Sequence, residues 1–159
     1  MNNHASPVAA VAPFISWEIG TSLQPNGGKG IDEGTYWRLD LTVQPDGSIP
    51  GASITSDGFV QVPPGFYLVS FDGHLITTAA TGQYQTAALS TMAYGFPGVY
   101  QLSLINYQQL TGDPSSLTLS ASRLFNCHSY DDTLSFGYDK GSDGSAVLQG
   151  FFSVIQLSA

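Results

Sequence analysis

Paired carboxylates are the residues of this chain closest to a chemical constellation: Asp32-Glu33, Asp131-Asp132, and Asp139 with Asp143. A glycosidase needs two carboxylates facing each other across a sugar, about 5–10 Å apart. Only Glu18 and Asp40 fall within clear strand patterns. The other acids sit in turn sequences, where Asp is favoured for hydrogen bonds to its own backbone. Asp139 to Gly144 has acidic spacing that invites calcium, but it lacks the oxygen count and distal Glu of an EF-hand loop. His4, His74 and His128 are widely separated and form no zinc motif. Cys127 precedes His128, but neighbours on a strand face opposite ways, so Cys127 reads as a small buried hydrophobe. No nucleophile elbow occurs, and the glycine-rich stretch after Gly20 lacks a phosphate-loop ending. The expectation is therefore a non-enzyme, with no cofactor and no metal ligand assigned.

Composition narrows the partners. Acids outnumber bases 12 to 4, and the bases Lys29, Arg38, Arg123 and Lys140 are scattered singly. Nucleic-acid affinity depends on clustered Lys and Arg, so a nucleic-acid partner is excluded. Anionic membranes are disfavoured for the same reason. No apolar run approaches the roughly 18 residues of a membrane span, so membrane insertion is not expected. Charged residues make up only 10% of the chain, against about a quarter in ordinary domains. Such a surface suits self-association or sugar binding. Tyr84, Tyr94, Phe96 and Tyr130 are candidate ligand-contacting aromatics, because half of the extra aromatic residues fall in loop-like sequence.

The elements that must position these residues are strands. Phe14 to Ile19, Tyr36 to Val43, Val99 to Asn106, Leu117 to Cys127, Thr133 to Tyr138 and Ala146 to Leu157 all read as strands. Asp72-Gly73 reads as a hairpin turn, with His74 to Thr78 as the next strand. Gly82 to Met92 fits a strand or an irregular crossing. In the run from Gly58 to Phe71, a Pro-Pro-Gly corner separates two strands. Its second half is apolar almost without a break, which predicts a strand covered on both faces. About 8–10 antiparallel strands at regular spacing mean an all-β sandwich or barrel. Residues 1–13, rich in Ala and Pro, read as an extended arm, and 14–159 as one domain.

Three segments resemble a known family. Phe59, Gly65 and Tyr67 have the spacing of a phenylalanine, glycine and tyrosine in the C1q domain. Leu110-Thr111-Gly112-Asp113 is similar to that domain's later Leu-x-x-Gly-Asp turn, one residue short. Gln149-Gly150-Phe151-Phe152-Ser153-Val154 resembles its closing strand. The resemblance implies a C1q/tumour-necrosis-factor-like jelly roll and a compact homotrimer, with the final strand in the inner sheet. Candidates for the core and trimer contacts are Phe66, Tyr67, Val69, Phe71, Tyr100, Phe151, Phe152 and Val154. The expectation is of a domain without a preceding collagen stalk, and the long loop from Thr21 to Gly34 is not a family hallmark. Both departures favour a bacterial or bacteriophage member.

These readings converge on a trimeric protein of a virion surface, assembled in the host cytoplasm. It would be a bacteriophage capsid decoration (cement) protein or a spike head. The expected partners are further copies of itself and the major capsid or another virion protein. Val8, Val11, Phe14 and Trp17 are the candidates for docking to the shell. The alternative is a lectin-like module of the same fold that binds a host-surface glycan.

Overall fold

The computed structural model describes residues 11–20, 31–32, 36–77, 84–93, 101–109, 115–129, 132–139 and 146–158. They form twelve strands: β1 (Phe14–Ile19), β2 (Ile31–Asp32), β3 (Tyr36–Arg38), β4 (Asp46–Ser48), β5 (Ser53–Ile54), β6 (Val60–Gln61), β7 (Gly65–Thr77), β8 (Tyr84–Ala93), β9 (Gln101–Gln109), β10 (Ser115–Cys127), β11 (Asp132–Asp139) and β12 (Ala146–Ser158). The excess over the expected number comes from ladders of two or three residues at β2 to β6.

Two antiparallel sheets share one core. The first has the order β10-β7-β12-β1-β4. In the second, β11 pairs with β8 along its whole length, β9 continues beyond β8, and β3 and β6 pair with β11 at its two ends. Between the sheets, Ile15, Trp17 and Ile19 of β1 meet Tyr67, Val69 and Phe71 of β7, Phe152 and Val154 of β12, and Leu134 of β11. Trp17 and Phe152 are paired in register, with ring centroids 5.7 Å apart and tilted by 32°. Aromatic pairs favour such offset geometries.

The predicted strand from Tyr36 to Val43 ends early, at Arg38. Beyond it, Asp40 Oδ1 accepts from both the Thr42 amide, at 3.1 Å, and the Thr42 hydroxyl, at 2.7 Å. An Asp that bonds the backbone two residues on bends the chain away from a ladder. The alternation survives as burial, with Leu39 and Leu41 both in the core. Asp40 accordingly lies outside any strand.

Asp72-Gly73 is not a turn. β7 runs straight through it, and Gly73 is paired with Gly150 of β12. A Cβ on Gly73 would lie 2.0 Å from the Gln149 carbonyl oxygen. The glycine is there because two strand backbones close on each other, a reading that sequence spacing alone does not separate from a hairpin.

Candidate functional site

The face of the five-stranded sheet that points away from the core carries the most organised surface among the described residues. Strand register sorts it into rows. Leu124 of β10 lies opposite Leu68 of β7, Leu68 opposite Ile155 of β12, and Ile155 opposite Phe14 of β1. Four apolar side chains therefore stand side by side on four adjacent strands. At the usual strand spacing the row is about 14 Å long. Leu124 is 68% exposed and Phe14 39%, while Leu68 and Ile155 are half-buried. Phe66, two residues before Leu68 and on the same face, is half exposed.

The next row is made of hydroxyls: Ser122, Ser70, Ser153 and Ser16, again one per strand. Ser16 and Ser153 share a hydrogen bond of 2.8 Å. Beyond it, Phe151 stands between Asp72 and Glu18 on its two neighbouring strands, with Ser120 outside Asp72. In the last row His74 Nδ1 lies 3.4 Å from the Thr118 hydroxyl. The face thus grades from apolar, through neutral polar, to acidic.

No protein-family model matches the chain, and no curated protein does. Solved structures do. The globular domain of zebrafish complement 1qA superposes with a TM-score of 0.59 at 12% identity, covering 92% of this chain and 98% of that one. Murine APRIL crystallised at pH 5.0 gives 0.57 at 12% identity, over 92% and 99% of the two chains. The fold is the C1q/tumour-necrosis-factor jelly roll. At such low identity the likeness is one of fold alone.

Within this jelly roll the sequence-predicted residues separate into distinct places. Tyr67, Val69, Phe71, Phe152 and Val154 are buried between the sheets. The Tyr67 hydroxyl donates to the Pro63 carbonyl oxygen at 2.8 Å, which holds the Pro-Pro-Gly corner against the core. Phe66 and Phe151 point the other way and are 50% and 55% exposed. Among the described residues, β7 is therefore not closed on both faces. Tyr67, Val69 and Phe71 alternate inward, while Phe66, Leu68 and Ser70 face out.

Trp17 is a correction. It is 1% exposed, and its indole N–H donates to the Val43 carbonyl oxygen at 2.9 Å. A core residue with a satisfied donor offers nothing to a shell. The period-two pattern of Phe14 to Ile19 forces this, since Trp17 shares a face with Ile15 and Ile19. Val11 and Phe14 are exposed. Tyr84 begins strand β8 rather than lying in a loop. Val8, Tyr94, Phe96, Tyr100 and Tyr130 lie outside the described residues, as do residues 140–144 and the Leu110–Asp113 turn.

Cys127 is buried, and its thiol donates to the carbonyl oxygens of Ser129, at 3.1 Å, and Val62, at 3.4 Å. His128 is exposed beside it. Among the described residues, no three His, Cys, Asp or Glu side chains gather as a metal site.

Three residues of the apolar row were not singled out from the sequence: Leu68, Leu124 and Ile155. The signal for Leu124 was present. It is the one leucine in the outward series Thr118, Ser120, Ser122, Leu124, Asn126.

Proposed function

We propose that this protein is a non-enzymatic structural module. In this reading it assembles as a homotrimer through the outward face of its five-stranded sheet and is displayed on a virion surface, as a bacteriophage capsid decoration protein or spike head. The observation that carries the assembly reading is the apolar row Leu124, Leu68, Ile155 and Phe14, exposed at its two ends and half-buried in its middle, across four adjacent strands. Contiguous exposed apolar surface of this kind marks interaction sites. The C1q/tumour-necrosis-factor fold favours copies of the same chain as the cover, because its members are trimers. The serine row beside it adds neutral hydrogen-bonding groups without the desolvation cost of buried charge. The virion reading is supported by the sparsely charged chain and by the exposed Val11 of the arm, just before β1.

Light scattering on the purified chain tests the assembly. The expected mass is three times the 16.8 kDa protomer. Leu68→Glu places a charge in the middle of the row and is expected to weaken assembly by about 30-fold or more, the range of interface hot spots. Its circular dichroism should stay native, since Leu68 is not a core residue. A monomer at micromolar concentration, or an undisturbed Leu68→Glu trimer, would sink the reading.

A further inference from the structure

A depression at the edge of the sandwich stands apart from the sheet face. The first sheet ends at β4 and the second at β5, and residues 42–54 run between these two edges. They enclose a depression of about 370 Å³, within the roughly 300–1,000 Å³ range of small-molecule sites. Its apolar lining comes from Ile15, Ile49, Ala52 and Ile54, with Ile15 and Ile49 each only 4% exposed. Its polar lining comes from Thr42, Gln44, Ser48 and Ser53.

The walls are fixed by local bonding. The Ala52 amide donates to the Ile49 carbonyl oxygen at 3.0 Å, closing the turn that carries Ala52 and Ser53. Gly47 has φ +77°, and a Cβ there would lie 2.4 Å from the Phe14 carbonyl oxygen. β4 can lie this close to β1 only with glycine at that position. The site is thus formed before any ligand arrives, which lowers the ordering cost of binding.

The lining defines the ligand's chemistry. Among the described residues, none that lines the depression is ionisable, although the chain carries a net charge of −8. An anionic ligand would find no counter-charge there. No aromatic ring lines it either, so a sugar would be held without stacking, with an apolar substituent against the half-buried Ala52 and Ile54. The hydroxyl protons of Thr42 and Ser53 are committed, to Asp40 Oδ1 at 2.7 Å and to Gln61 Oε1 at 3.3 Å. These two hydroxyls can therefore serve a ligand only as acceptors, while the Gln44 amide has donors to offer. A ligand with one methyl-bearing group and several hydroxyls satisfies both halves. We infer that the depression binds an N-acetylhexosamine unit of a neutral glycan, with the acetamido methyl against Ala52 and Ile54 and the ring hydroxyls on the polar rim.

Saturation-transfer and titration NMR on the full chain test this, with N-acetyl-D-glucosamine, N-acetyl-D-galactosamine and D-glucose as probes. At least one N-acetyl sugar is expected to bind with a millimolar Kd. D-glucose, which lacks the methyl, is expected to bind about tenfold more weakly or worse. Ala52→Phe fills the depression and should abolish the signal. Ser48→Ala keeps the shape and should weaken binding several-fold, so the test stands even where the larger substitution disturbs folding. No binding of either N-acetyl sugar, equal binding of D-glucose, or unchanged binding by both variants would overturn the inference. None of these readouts depends on oligomeric state, so failure here leaves the trimer reading untouched.

Discussion

Gly73 and Gly150 show how one residue type can serve two purposes that look alike in sequence. Asp72-Gly73 has the composition of a tight turn, yet its glycine lies in the middle of a 13-residue strand. What distinguishes the two is a partner far away in sequence: Gly150, at φ +147°, whose own Cβ would lie 2.2 Å from the Asp72 carbonyl oxygen. Sequence-local signals cannot contain that information. Gly150→Ala therefore meets backbone at both the neighbouring strand and its own disfavoured φ. The expected loss is about 3 kcal/mol, read as a lower urea midpoint at fixed protein concentration, because assembly also contributes to apparent stability.

At the scale of the element, alternation was legible and the identity of the closed face was not. β1, β10, β11 and β12 lie within two residues of the strands that the sequence predicts. β7 is different because both of its faces are apolar over its first residues. Phe66 and Leu68 would serve a core as well as Tyr67 and Val69 do. Only the position of the second sheet decides between them, and it closes over Tyr67, Val69 and Phe71. The same ambiguity sits in the adjacent pair Phe151 and Phe152. Phe152 is fully buried against Trp17, while Phe151 is 55% exposed between Asp72 and Glu18. Phe152→Ala is expected to cost about 3–5 kcal/mol of protomer stability. Phe151→Ala should change it by no more than about 0.5 kcal/mol, as for other surface sites. Urea unfolding of the two variants in a Leu68→Glu background, where assembly is suppressed, separates them.

At the scale of the molecule, the parts implied by the reading occupy different regions. The apolar row lies on the face of the first sheet, the sugar-sized depression at the edge where β4 and β5 approach, and the arm at the start of β1. Function was poorly legible because each region is defined by register or by sheet edges, not by a local motif. The arm can be tested alone because of where it is fastened. The Gln156 amide donates to the Pro13 carbonyl oxygen at 2.8 Å, so the chain is tied to β12 from Pro13 onward. Val11, just before that tie, is 82% exposed. Removing residues 1–12 keeps the fastening bond and every core residue among those described, so folding and trimer mass should be unchanged. In the virion reading the truncated protein loses the apolar contact that seats it on its shell. Co-sedimentation with empty shells of the virion that carries it should fall from stoichiometric to background. Binding of whichever N-acetyl sugar the full chain takes should persist, since the depression is built from residues 15 and 42–54. Full shell binding by the truncated trimer would remove the arm from the docking surface.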